Sequence, residues 1–160
     1  MQDLFFILLL IVAGNGAPIL IRFILGNRMQ MPVDFHRKFI DENRIFGNSK
    51  TWIGLVSIPV ASIGTAWLMN QAIEIGVLVG FGVMLGDLFS SFTKRRMNMK
   101  ESSMAVGLDQ IPESLFPLIL VKDIVGLDFM QIVFGVVLFI IFELLVSRML
   151  YRMHIRKQPY

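Results

Sequence analysis

The sequence has 160 residues, of which 55% are hydrophobic and only 17% are charged, and it contains no cysteine. A soluble domain has about a quarter charged residues, so this composition, with a mean hydropathy of +0.68, predicts an integral membrane protein of one domain. The missing cysteines exclude disulfides, thiolate catalysis and cysteine metal sites. A net charge of +3 gives no basic stripe for nucleic acid.

The hydropathy pattern predicts an all-α fold with five transmembrane helices in a single membrane domain covering residues 1–160. An apolar helix needs about 20 residues to cross the hydrocarbon core. The predicted spans, in chain order, are about residues 4–25, 53–69, 72–92, 106–121 and 129–150. We expect the first span to be retained, because no Lys or Arg precedes it as in a cleaved signal. The fourth is short and acidic, so a re-entrant segment is the alternative there.

The distribution of Lys and Arg predicts the orientation of these spans. Five cations lie in loop 26–52, four in loop 93–107 and four near the C-terminus. The positive-inside rule then assigns both loops and the C-terminus to the cytoplasm and the N-terminus to the outside. This arrangement requires five crossings of the cell membrane.

The clearest candidate site is the end of the third span. There Asp87, Ser90, Ser91 and Lys94 share one helical face. An acid facing lipid is costly, so Asp87 is expected to have a partner inside the bundle. A carboxylate suits Mg²⁺, and the cations at 94–96 suit phosphate oxygens. The alternative is that these cations only anchor the helix at the cytoplasmic interface.

Two other polar groups have equally ordinary explanations. Asp109 and Glu113 lie one helical turn apart. They are either ligands in a functional site, or Asp109 is the N-cap of the fourth helix and Glu113 an acid in its first turn. Residues 48–51 lie at the start of the second helix. They either bind phosphate together with the N-terminal amides of that helix or serve only to cap it.

Four glycines on the third span form two small-xxx-small pairs; they are Gly76, Gly80, Gly82 and Gly86. We interpret them as a helix-packing face, which also permits a homodimer.

Three motifs resemble one known family. Residues 41–54, D-E-N-R-I-F-G-N-S-K-T-W-I-G, resemble its D-x-R-R-x-x-G-x-x-K-T-x-x-G pattern. Residues 86–96, G-D-L-F-S-S-F-T-K-R-R, and Leu-Asp-Gln at 108–110 resemble its G-D-x-x-x-S-F-x-K-R-R and L-D-Q motifs. Together they are similar to the CDP-archaeol synthases, small five-span relatives of phosphatidate cytidylyltransferases.

The resemblance implies an enzyme that transfers CMP from CTP to a lipid phosphate with Mg²⁺, releasing pyrophosphate. It implies metal ligation by Asp87 and Asp109 and phosphate binding by Lys94 and Arg95. The remaining residues that it assigns to the cytoplasmic nucleotide and phosphate site are Arg44, Lys50 and Thr51. On the shared helical face, Ser91 is a further phosphate-binding candidate.

The sequence departs from the family pattern at two points. Pro112 occupies a position where a second acid is common, which makes the adjacent Glu113 a further candidate metal ligand. Asn43 stands where an arginine is usual, ahead of Arg44. The alternatives are a phosphatidate cytidylyltransferase acting on an ester lipid, or a non-catalytic lipid-binding or transport protein.

Overall fold

The computed structural model describes residues 2–26, 31–101, 103 and 105–152. In this part of the chain the regular elements are five α-helices, with two isolated β-bridges in a loop. The helices are α1 (Gln2–Leu25), α2 (Trp52–Leu68), α3 (Ile73–Arg96), α4 (Gln110–Val125) and α5 (Phe129–Arg152). The predicted all-α class is confirmed, and each helix overlaps one predicted apolar segment. Among the cations counted for orientation, Arg28, Arg156 and Lys157 lie outside the described residues.

Three of the helices are long and apolar enough to cross a membrane, namely α1, α3 and the Phe129–Met149 part of α5. The other two are shorter, because α2 has 17 residues and α4 has 16. At 1.5 Å per residue they extend about 24–26 Å, less than the roughly 30 Å hydrocarbon core. The predicted count of five full crossings and their orientation therefore stay predictions.

The bounds of α3 and α4 differ from the sequence expectation. The third helix continues to Arg96 rather than ending near residue 92, so Lys94 and Arg95 are helical and belong to its last turn, where cations complement the helix dipole. The fourth helix begins at Gln110 and ends at Val125, later than the predicted 106–121. It stops where Gly126 adopts φ 73°, a left-handed conformation that glycine allows at a helix C-terminus.

Helix α3 lies between α2 and α4, and its glycines allow the close approach. A Cβ on Gly76 would lie 2.9 Å from the Ala66 Cβ on α2. On the other side, a Cβ on Gly82 would lie 2.7 Å from the Pro117 nitrogen on α4. The predicted packing role is confirmed. Because α2 and α4 cover these glycines, they are not available to a second copy of the chain.

The buried core is apolar and joins the helices near the middle of the bundle. Helix α1 contributes Leu4, Ile7 and Leu10, which pack with residues such as Val83 and Leu118. The outward-facing side chains of the helices are also largely apolar, with many large hydrophobic residues exposed. A soluble monomer rarely exposes so much apolar surface, whereas a lipid-facing bundle requires it.

Candidate functional site

The candidate site is a cluster of charged side chains at one end of the bundle. The N-terminal ends of α2 and α4 meet the C-terminal half of α3 there. Asp87 on α3 forms an ion pair with Lys50, which precedes α2. The partner that the membrane environment demands for Asp87 is therefore a lysine 37 residues earlier in the chain. Thr51 caps α2, since its Oγ1 accepts a hydrogen bond from the Gly54 amide at 3.3 Å.

A second ion pair lies about two helical turns further along the same face of α3. The Lys94 Nζ is 2.7 Å from the Asp109 Oδ1, and it also donates to the Ser103 carbonyl at 3.0 Å. The Asp109 Oδ2 accepts from the Ala105 amide at 3.0 Å. Asp109 occupies the N-cap position of α4 but makes no side-chain capping bond there. The carboxylate instead orders the preceding loop and holds Lys94.

Glu113 adds a third carboxylate to the cluster. It is only 7% exposed and interacts electrostatically with Lys50, Asp87 and Asp109. Glu143, which the sequence left without a role, interacts with Glu113 from α5. An acid inside an apolar span is itself a signal of function, and that signal could have drawn attention to Glu143.

The cluster stabilises the charged form of Lys50. Burial alone would lower the pKa of Lys50, but the negative charges of Asp87 and Glu113 outweigh it and raise the pKa above its usual value. Lys50 is therefore an ammonium ion at neutral pH. The site combines three carboxylates with two lysines, a set that can exchange carboxylate partners for phosphate oxygens.

The other predicted site residues divide into two groups. Ser91 and Arg95 are buried on α3 beside the cluster. The Arg95 Nη2 donates to the Lys100 carbonyl at 2.9 Å, while its Nε is buried without a hydrogen-bond partner in the described part of the chain. Arg44 is bound to Asp34 and to the Asn48 Oδ1, so in this structure it stabilises loop 31–51 instead of contacting the Lys50–Asp87 pair.

That loop is folded around the carboxylate of Asp34. The carboxylate pairs with Arg44 and accepts hydrogen bonds from the amides of Phe46 and Gly47, both at 3.0 Å. Burial opposes ionisation, but these bonds outweigh it and lower the pKa of Asp34 to about 2. The loop therefore presents Lys50 from a hydrogen-bonded framework.

Arg96 attaches the loop to the end of α3. Its Nη1 lies 2.8 Å from the Asp41 Oδ1, and its Nη2 donates to the Arg44 carbonyl at 2.6 Å. The guanidinium carbon is 4.8 Å from the ring centroid of Phe39 and 4.9 Å from that of Phe92. The sequence pattern grouped Arg96 with the phosphate-binding cations, whereas in the structure its guanidinium lies over two aromatic rings and contacts two loop oxygens.

The donor chemistry of the site fits Mg²⁺ only together with phosphate ligands. Within the described ranges, no three His, Asp or Glu side chains converge closely enough to hold a metal ion by themselves. Asp87 and Asp109 supply carboxylate oxygens, and Mg²⁺ is commonly held by one or two carboxylates plus substrate phosphates and water. The site therefore has the ligands for a metal ion shared with a nucleotide, and lacks those of an all-protein cage.

Comparisons with known proteins find similar enzymes in archaea. The CarS-like CDP-archaeol synthase family matches residues 55–160. The CDP-archaeol synthase of Sulfolobus acidocaldarius is 31% identical over 94% of this chain and 91% of its own length. The CDP-archaeol synthase of Thermococcus onnurineus is 34% identical over 76% of this chain and 74% of its own length.

A solved structure, described as an intramembrane enzyme for archaeal membrane lipids biosynthesis, has the same fold. It aligns with a TM-score of 0.66 over 86% of this chain and 90% of its own, at 20% identity. The chain is therefore a multi-pass membrane protein, and it belongs to the CDP-archaeol synthase family.

Proposed function

We propose that the protein transfers CMP from CTP to a membrane lipid phosphate of the archaetidic-acid type, giving a CDP-lipid and pyrophosphate. The observation that carries this proposal is the meeting of two carboxylate–lysine pairs, Asp87 with Lys50 and Asp109 with Lys94. Curated relatives that share most of the chain are named CDP-archaeol synthase. The reaction belongs to phospholipid biosynthesis.

The chemistry requires charge neutralisation more than a strong base. A lipid phosphate oxygen is already anionic, so it can attack the α-phosphorus of CTP directly. A new P–O bond forms there, and the bond to the β-phosphate breaks with its electrons leaving on pyrophosphate. The obstacle is to align two anions that repel each other. Lys50, Lys94 and Arg95 provide cations for their phosphate oxygens.

In this proposal Asp87 and Asp109 hold Mg²⁺, and Glu113 is a further candidate ligand. When bound, the ion supplies Lewis-acid neutralisation of the phosphate oxygens. Glu113 is buried in the same cluster and interacts with Asp87, so it is the carboxylate available in place of the acid missing at Pro112. Lys50 and Lys94, now paired with the two aspartates, would turn to the phosphates of the substrates.

We further propose that the site faces the cytoplasm of a cell membrane. Loop 31–51 and loop 97–109 border the site, and cations are concentrated in and beside them. The positive-inside rule assigns such loops to the cytoplasmic side, where CTP is available. In this proposal Arg44, Lys50 and Thr51 belong to the cytoplasmic nucleotide and phosphate site near the start of α2, whose amides favour anions.

The test is CMP transfer by the purified full-length chain. Labelled CTP and Mg²⁺ are supplied with either an ether lipid phosphate or phosphatidic acid in detergent micelles. We expect a labelled CDP-lipid and an equal amount of pyrophosphate, with the ether lipid preferred. Equal use of the ester lipid would favour a phosphatidate cytidylyltransferase. Lipid binding without CTP consumption or pyrophosphate release would contradict the proposed activity.

A further inference from the structure

A groove of about 580 Å³ lies between α1 and α2 on the outer surface of the bundle. Ala17 and Ala61 are among the small side chains that line it, and Trp52, Val56 and Val60 line it from α2. These three α2 residues are 43%, 55% and 61% exposed, so the groove opens sideways, towards the surface where lipid would lie.

The surface of the groove is almost entirely apolar. Its polar side chain is Ser57, whose hydroxyl donates to the carbonyl of Gly54 in the same helix. Because that hydroxyl is already satisfied, it gives no reason for a polar ligand to enter. The groove therefore suits a hydrocarbon chain.

The groove begins at the N-terminal end of α2, which follows the Lys50 of the charged site in sequence. Its first residue along α2 is Trp52, which directly follows Lys50 and Thr51, and from there it runs to Ala61, about 13 Å along the helix axis. The N-terminus of α2 favours an anion, while the rest of the groove favours an alkyl chain. An anionic head at one end of a hydrocarbon chain matches both parts.

We propose that this groove, defined by Ala17, Ile21, Trp52, Val56, Val60 and Ala61, binds one hydrocarbon chain of the lipid-phosphate substrate. The inference rests on the proposed function and adds the position of the lipid tail to it. The tail lies along α2 with its phosphate next to Lys50, so the substrate enters sideways from the bilayer. Filling the groove weakens lipid binding and leaves CTP binding unchanged.

Trp52 supplies a direct readout, because bromine atoms on a lipid chain quench tryptophan fluorescence on contact. The chain has two tryptophans, and the Trp67→Phe variant leaves Trp52 as the reporter. The probes are a brominated dialkylglycerol phosphate and the phosphocholine with the same brominated chains, each at low mole fraction in micelles. We expect saturable quenching by the phosphate at concentrations about tenfold lower than for the phosphocholine.

Groove-filling variants separate specific binding from general lipid contact. In the Trp67→Phe background, Ala61→Phe and Ala17→Phe fill opposite walls, whereas Val133→Phe adds the same ring to a lipid-facing position on α5. We expect both groove variants to need about tenfold more lipid phosphate for half-maximal quenching, and Val133→Phe to behave as the parent. Two groove variants are made so that, if one of them unfolds, the other still tests the groove, provided that its melting temperature equals that of the parent.

Equal quenching by both probes would overturn the groove proposal, since it would indicate ordinary surrounding lipid. Unchanged quenching in both groove variants would overturn it as well. CMP transfer distinguishes failure of the groove from failure of the activity. If the parent transfers CMP and Ala61→Phe keeps its KM for lipid phosphate, only the groove is wrong. If the parent transfers no CMP, the proposed function is wrong whatever the quenching shows.

Discussion

The contact between α3 and α4 at Gly86 determines the distance between the two halves of the site. A Cβ added at Gly86 would lie 2.6 Å from the Glu113 Cα, which is closer than Cβ atoms come to other atoms in real proteins. The atoms that it meets belong to the backbone of α4, so they cannot rotate away as a side chain could. In Gly86→Ala the helices must separate by about 1 Å to restore ordinary contact, and overpacking of this kind costs about 1–3 kcal/mol. Alanine returns up to about 1 kcal/mol as the better helix former.

The effect on activity should exceed the effect on stability. Asp87 follows Gly86 on α3, while Asp109 and Glu113 belong to α4 and its N-cap. A displacement of about 1 Å between catalytic groups can cost roughly 100-fold in rate. We therefore expect Gly86→Ala to melt a few degrees lower and to transfer CMP about 100-fold more slowly.

The matched control is Gly64→Ala on α2, where an added Cβ meets nothing within 4 Å. We expect this variant to be as stable as the parent or slightly more stable, and fully active. The assays are thermal unfolding in detergent and initial rates of CMP transfer well below the melting temperature. If Gly86→Ala melts and reacts like Gly64→Ala, the close packing of α3 on α4 is not what positions the site.

Three further predictions concern the charged residues around the site. Arg96→Lys should lower kcat/KM for CTP about tenfold by loosening loop 31–51, whereas Arg37→Lys, an exposed change in the same loop, should leave kcat/KM unchanged. Limited proteolysis in which loop 31–51 of Arg96→Lys is as resistant as that of the parent would contradict this. Asp34→Asn should lose on the order of 2 kcal/mol of stability at pH 7, because the fold lowers the pKa of Asp34 from 3.8 to about 2. The ionised Asp34 carboxylate stabilises the fold above about pH 4, and this stabilisation is lost as the pH falls towards 2. The difference from the parent in thermal unfolding should therefore shrink at pH 3, and a difference independent of pH would refute the ionic role. Lys94→Met should destabilise by about 3 kcal/mol because it leaves Asp109 buried without its partner; adding Asp109→Leu should recover part of that loss, and a strictly additive double variant would contradict the pairing.

The helices, and the need of Asp87 for a partner inside the bundle, could be predicted because both depend on local patterns. Apolar length predicted the five helices, and the cost of an acid in a membrane helix predicted that Asp87 has a partner. The identity of that partner could not be predicted, because Lys50 reaches α3 only through the fold of loop 31–51. That fold depends on the Asp34–Arg44 and Asp41–Arg96 ion pairs, whose members are 10 or more residues apart in sequence.

The same limit explains the residues that were missed or given another role. Glu143 is apart in sequence from every other site residue, and only the packing of α5 beside α4 brings it to Glu113. Arg96 belongs to a run of three cations, and the sequence gives no sign that it turns towards Phe39 while Lys94 turns towards Asp109. Helix geometry predicts which residues share a face, but the elements that cover the face decide their roles.

The central claim is that Asp87 belongs to the catalytic site for CMP transfer, and Asp87→Asn tests it most directly. Its control is Glu74→Gln, the same change of carboxylate to amide in the exposed first turn of the same helix. We expect Asp87→Asn to remain a folded membrane protein that transfers CMP at least about 100-fold more slowly, while Glu74→Gln keeps the parent rate. Near-normal turnover by a folded Asp87→Asn protein would contradict the account.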